Sequence, residues 1–189
     1  MASSPSKSDD LERYREYLAL IARLQTGSRL QGKIDVSGVV QQTLLEAHQA
    51  LGKLKGQTVS KRAAWLRQIL ANNLRDEIRK AGAAVRNVGR ERSLEADLAQ
   101  SSSRLEAWLA ADQSSPSEHA VKQEQLRALA DALAQLPDDQ RQAVEMHHLQ
   151  GRALAEVAAA LGRSKGAVAA LLYRGLKKLR ELLGESQRE

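Results

Sequence analysis

The chain has 189 residues, enough for one ordinary domain or two small ones, with 29 Lys+Arg against 23 Asp+Glu and a formal charge of +6. A pI near 9.8 suits a polyanionic partner. With no Cys, disulfides and thiolate metal sites are excluded. Aromatics are only 3%, and the apolar content is Leu, Ala, Val and Ile, which together with few prolines predicts an all-α chain.

The opening MASSPSKSDD reads as a polar, disordered tail over residues 1–10, lacking the apolar stretch of a signal peptide. No apolar run approaches the length of a membrane span, so a soluble cytoplasmic protein without membrane contact is expected. Residues 11–92 form a first helical module. Tyr14, Tyr17, Leu18, Ile21 and Leu24 mark one amphipathic helix; Val36, Val39, Val40, Thr43, Leu44, Ala47 and Leu51 mark a second. Trp65, Leu66, Ile69, Leu70, Asn73, Leu74 and Ile78 mark a third, with breaks at Gly27–Gly32, Gly52–Ser60 and around Gly82.

Charge changes sign along the chain. Basic residues dominate from Lys61 to Arg92, and acidic ones from Ser93 to Glu124, where Ser101–Ser103 and Ser114-Ser115-Pro116-Ser117 have linker texture. Residues 93–118 are therefore read as a flexible acidic tether. Within it Leu105, Trp108 and Leu109 fall on one side of a short helix, which fits either docking onto a partner or a satellite contact within the chain.

A second module, 119–185, opens with Leu126, Leu129, Ala130, Leu133 and Leu136 at helical spacing, and Pro137-Asp138-Asp139 starts the next helix. Leu154, Val157, Ala158 and Leu161 stripe a short helix; Gly162 follows for a turn, and Ser164 is a suitable N-cap. The helix beyond buries Val168, Leu171, Leu172, Gly175, Leu176 and Leu179. From Arg163 to Arg180 there are six basic residues and no acidic one. This is a helix-turn-helix whose exposed positions suit a DNA major groove, although a plain helical hairpin with a solvated basic face fits the same spacing. Two basic modules and an acidic tether suggest contact with nucleic acid at two separated places.

Catalytic chemistry is missing from the sequence. There is no phosphate-binding loop, zinc motif or nucleophile elbow. Adjacent His147 and His148 point about a quarter-turn apart on a helix and read as surface or half-buried residues. Asp138 and Asp139 fit a helix start, and Asp76 and Glu77 fit ion pairs with neighbouring basic residues.

In the stretches IDVSGVVQQTLLEAH (34–48), AWLRQILANNLRDEIRK (64–80) and 114–182, the chain resembles bacterial RNA polymerase sigma factors of the sigma-70 family, extracytoplasmic-function (ECF) type. RGLKKLREL and ILANNL resemble planctomycete members in wording. The resemblance implies two small helical domains, sigma regions two and four, joined by a flexible linker. It implies a non-enzymatic factor without cofactor or metal, which binds core RNA polymerase and promoter DNA and can be held by an anti-sigma protein.

Carried onto this chain, the resemblance assigns Asp35, Val39, Val40, Gln41, Thr43 and Leu44 to the polymerase-binding helix, on its face or under it. The loop 52–60 with Lys53 and Lys61 would hold a base flipped from the non-template strand, and Asn72 would line its pocket. Trp65, Arg67, Arg75, Arg79 and Lys80 complete the minus-ten set, the basic ones on phosphates. Arg163, Ser164, Lys165, Arg174, Lys177 and Lys178 would serve the minus-thirty-five element.

The chain departs from the family where members often carry carboxylates at Gly38 and Gln42, and basic or polar residues near Ala169 and Leu171. The first departure removes two polymerase-facing charges. The second leaves promoter discrimination leaning on DNA shape. Few aromatics favour a base pocket over stacking on several rings. Set against a sigma factor are a stand-alone helix-turn-helix regulator with an N-terminal dimerisation or effector bundle, and an adaptor that binds protein only.

Overall fold

The computed structural model describes residues 7–30, 34–50, 59–80 and 119–186, and all regular structure among them is helical. In the N-terminal module the helices are α1 (Lys7–Glu12), α2 (Arg15–Leu30), α3 (Val36–Gln49) and α4 (Val59–Lys80). The C-terminal module holds α5 (His119–Ala134), α6 (Asp138–Val144), a π-helical turn (Glu145–Leu149), α7 (Leu154–Leu161) and α8 (Lys165–Ser186). The tether and the loop 52–58 lie outside the described residues, and with them Lys53 and Trp108.

The helix periods read from the sequence correspond to the buried faces. Tyr14, Tyr17, Leu18 and Ile21 of the first stripe are at most 1% exposed, as are Leu66, Leu70 and Leu74 of the third. Each such side chain contributes roughly 1.5–3 kcal/mol through burial. Helix α1 starts inside the segment read as a tail. It is held there by buried Leu11 and by Asp10, whose carboxylate accepts from Arg62.

Local chemistry sets the helix ends. Asp35 caps α3, accepting from the Gly38 amide at 3.0 Å. A Cβ on Gly38 would come within 2.6 Å of that carboxylate, so glycine leaves room for the cap at a position that otherwise weakens a helix. Gly162 takes φ 63° after α7 and Gly151 φ 70° before it. Ser164 Oγ accepts from the Ala167 amide at 3.2 Å, the N-cap expected for α8. Glu156 reaches back to accept from the Ala153 amide at 2.9 Å, closing one half of a capping box.

The segment after α6 does not continue as an α-helix. It widens into the π turn, with the Gln150 amide bonding to the Glu145 carbonyl at 2.9 Å. This turns Glu145, Met146 and Leu149 inward and leaves His147 and His148 half-buried, their rings 4.9 Å apart edge to face. Just beyond, α8 crosses α6 closely. A Cβ on Gly175 would meet Val144 Cγ2 at 3.0 Å, so only glycine fits this crossing without displacing the core.

Buried side chains of the two modules form one continuous apolar cluster. Helix α5 is the common element, packing on α2 and α4 on one side and on α8 on the other. Its buried positions, from Gln123 to Leu133, cover roughly 220° of the helix circumference at 3.6 residues per turn, far more than one amphipathic stripe.

Candidate nucleic-acid interface

Three helices carry the residues singled out in the sequence, and each presents a different surface. On α3, Val39, Val40, Thr43 and Leu44 are buried, with Thr43 clamped between the Val39 carbonyl (2.8 Å) and Asn73 of α4 (3.1 Å). They lie under the helix and support it. Its outward positions are Gln41, Gln42, Leu45 and His48, and Gln42 donates to Glu46 at 2.8 Å. Leu45, 50% exposed beside Gln41 on this face, is not among the candidates that the sequence singles out. A large apolar side chain four residues beyond Gln41 was the available signal. This face is almost without charge, and suits a protein partner better than a phosphate backbone.

On α4, Lys61, Asn72, Arg79 and Lys80 are exposed, while Trp65, Arg67 and Arg75 are half-buried. Most of its polar groups are engaged. Arg67 donates to the Tyr17 hydroxyl at 2.8 Å, tying α4 to α2, and Arg75 donates to Asn72 at 2.9 Å. Arg79 pairs with Asp76 at 3.2 Å and Lys80 with Glu77 at 2.7 Å, the intrahelical pairs expected from their spacing. Trp65 packs on the edge of the core. The loop ahead of α4, expected from the sequence to hold a flipped base, lies outside the described residues up to residue 58.

The face of α8 is the most open of the three. Arg163, Ser164, Lys165, Arg174, Lys177 and Lys178 are all exposed. Arg163 is paired with Asp139 across the helix-turn-helix, and Lys178 lies 3.7 Å from Glu181. Lys165, Arg174 and Lys177 have no carboxylate partner among the described residues. At four-residue spacing, Lys165, Ala169, Tyr173 and Lys177 make one outward stripe. Tyr173, 73% exposed, was missed in the sequence because it sits between core leucines. Leu171 is buried, so of the two departures noted in this helix only Ala169 lies on the reading face.

Such a short helix, glycine turn and capped second helix with an unneutralised cationic stripe defines a helix-turn-helix DNA-binding module. Residues 126–179 match the family model "Sigma-70, region 4". The chain is 31% identical over 175 residues to the ECF RNA polymerase sigma factor SigL of Mycobacterium tuberculosis, covering 91% of this chain and 87% of SigL. It therefore belongs to the ECF RNA polymerase sigma factors. It is also 36% identical over 125 residues to the RNA polymerase sigma factor CarQ of Myxococcus xanthus, spanning 66% of this chain and 62% of CarQ. Among solved structures it aligns with the sigma factor RpoE in complex with the anti-sigma factor NepR from Bartonella quintana, at 20% identity, 92% coverage of both chains and a TM-score of 0.35. Among the described residues, no three His, Asp or Glu side chains are grouped to hold a metal ion, and no helix is long and apolar enough to cross a membrane.

Proposed function

We propose that this chain is a transcription initiation factor that binds core RNA polymerase and directs it to promoters through two helical reading surfaces. The observation that carries the reading is the free cationic stripe of α8 within the region-four match, on a chain related to SigL along nearly its whole length. In this role α8 enters the major groove of the minus-thirty-five element. Lys165 and Ser164 lie nearest the base edges, and Arg174, Lys177 and Lys178 lie toward phosphates. The uncharged face of α3 meets the polymerase, with Asp35 at its start. Helix α4 serves the minus-ten element through Lys61, Asn72, Arg79 and Lys80, with Trp65, Arg67 and Arg75 shaping its flank, and Lys53 acts from the preceding loop.

The chain makes no bonds itself; the chemistry belongs to the polymerase. It works where the polymerase is, in the cytoplasm, and an anti-sigma protein is the natural regulator. The planctomycete-like wording of RGLKKLREL and ILANNL supports an origin in that group. The boundaries 11–92, 93–118 and 119–185 remain the working division of the chain, with tail residues 1–10 partly taken into α1.

Run-off transcription with core polymerase tests the reading. The full chain is expected to confer promoter-specific transcripts, and Leu45→Asp to abolish polymerase capture while far-UV circular dichroism is unchanged. Leu45 is the informative site because Val40 is buried and a charge there would unfold α3. A chain that binds duplex DNA tightly alone and adds nothing to core enzyme would instead be a stand-alone regulator.

A further inference from the structure

The outward side of α8 mixes charge and apolar surface in a definite order. At four-residue spacing Lys165 and Lys177 stand at the two ends of the stripe, with Ala169 and Tyr173 between them, and all are exposed. Tyr173 leaves 73% of its surface open, a large ring held in water against the hydrophobic effect. Lys165 and Lys177 have no carboxylate partner among the described residues.

The groups missing from this stripe narrow what it can read. From Arg163 to Arg180 there is no Asn, Gln, Asp or Glu, so the helix turns no amide and no carboxylate outward. Its only side-chain oxygens are hydroxyls, and Ser164 Oγ already accepts from the Ala167 amide to cap the helix. In the major groove adenine is read bidentately by Asn or Gln, and the amino group of cytosine needs an acceptor such as Asp or Glu. Neither kind of reader is present. Lysine and arginine donors answer the acceptors of guanine. An apolar side chain answers the one apolar group on the groove floor, the C5-methyl of thymine.

Size and position fit that pairing. Ala169 ends at its Cβ, so the helix can come close to the base edges there without displacing a side chain. Tyr173 lies four residues on, about 6 Å along the helix axis. That distance is roughly two base-pair steps at 3.4 Å each. The cations on either side hold the phosphates and press the apolar pair onto the groove. A protein partner is the poorer match, because the core of a protein interface is depleted of charge, and here unneutralised cations flank the apolar pair.

We infer that Ala169 and Tyr173 form an apolar reader of thymine methyl groups, and that the minus-thirty-five element of this factor carries thymines at the base pairs facing them. The inference rests on the sigma-factor reading above and gives α8 a direct readout beside DNA shape. Losing one facing methyl forfeits the burial of about one carbon group, equivalent to roughly fourfold in affinity.

The test uses the full chain assembled with core RNA polymerase. Promoter duplexes randomised across the upstream element are selected by retention on this holoenzyme, and the recovered sequences give the preferred bases. Each thymine of the preferred element, on either strand, is then replaced by deoxyuridine, which removes the methyl and keeps the base pair. A loss of about fourfold is expected at one or two thymines lying within about two base-pair steps of each other. With cytosine in place of such a thymine, 5-methylcytosine is expected to bind about fourfold better than the unmethylated base. Ala169→Gln brings in the amide that reads adenine, and is expected to erase the methyl response at one of these thymines. Tyr173→Ala is expected to erase it at the other, and Tyr173→Phe to keep it. Both side chains are exposed, so far-UV circular dichroism is expected to stay unchanged.

Equal binding of thymine and deoxyuridine duplexes at every position overturns the inference. So does a methyl response that survives both Ala169→Gln and Tyr173→Ala, or loss of polymerase capture by Tyr173→Ala, which would give the ring to a protein contact. Absence of any sequence-selective retention by the wild-type holoenzyme strikes the sigma-factor reading as a whole. Selective retention that ignores the methyl groups strikes the thymine reader alone.

Discussion

Helices α4 and α8 are both long and basic, yet their cations are prepared differently. Helix α4 is anchored on two sides, by Arg67 to Tyr17 and by Asn73 to Thr43, and its terminal cations Arg79 and Lys80 are each matched to a carboxylate three residues earlier. Helix α8 is packed along one side, and leaves Lys165, Arg174 and Lys177 without a carboxylate partner among the described residues. A cation already neutralised releases fewer counterions when it meets a phosphate. Under the proposed function, the difference gives long-range attraction to the C-terminal module, and placement held by a stiff scaffold to the N-terminal one.

The anchoring half of this contrast can be broken most forcefully in the core. Leu70 of α4 is 0% exposed and Leu172 of α8 is 8%. Leu70→Ala is expected to cost toward the upper end of about 2–5 kcal/mol, and Leu172→Ala toward the lower end, in urea unfolding. Equal costs would show α8 to be as firmly held as α4. Valine at Gly175 should cost about 1–3 kcal/mol through the clash with Val144, while alanine at exposed Gly184 leaves the unfolding midpoint nearly unmoved.

The electrostatic half is read from salt dependence. For holoenzyme binding to a promoter duplex, removing Lys165 and Lys177 together should lower the slope of log K against log salt by about 2. Arg79→Ala should lower it by clearly less than 1, because Asp76 already neutralises that side chain. Equal slopes per residue would erase the distinction between the helices. Ser164→Ala removes the cap of α8 and should cost about 1 kcal/mol, with DNA affinity following the loss of helix order.

The smallest expected effect is on pH. Burial, and then the neighbouring His147, push the pKa of His148 below its ordinary 6.5. The folded state favours the neutral ring, so this contribution is full above pH 6.5 and is lost as the pH falls through the lower folded value. Burial of Glu145, only partly countered by Arg23, moves its pKa up, so this carboxyl stabilises the folded state most in acid and less as the pH rises through its raised value. Because the two act in opposite senses, the difference between wild type and His148→Gln isolates the histidine. A flat difference between pH 7.5 and 5.5 would remove it.

Much of this protein follows from sequence because the relevant physics is local. A 3.6-residue period names Leu66, Leu70 and Leu74 as core, and a glycine before a serine locates the turn and cap between α7 and α8. The absence of Asp and Glu between Arg163 and Arg180 marks the cationic helix without any knowledge of its neighbours. Less legible were residues whose role depends on which side faces out. Val40 and Thr43 share α3 with Leu45, yet only Leu45 can touch a partner.

What the tertiary structure alone decided is how the two modules meet. No spacing rule links Arg23 to Glu145 or sets Arg127 over Tyr14, because their proximity comes from the packing of α5 between two bundles. The π turn was equally hidden, since a single widened turn keeps the helical period on either side and shows only in which groups it buries. Local periodicity determined the helices and their charged faces. Long-range packing determined which faces remain available and which pair of charges joins the two modules.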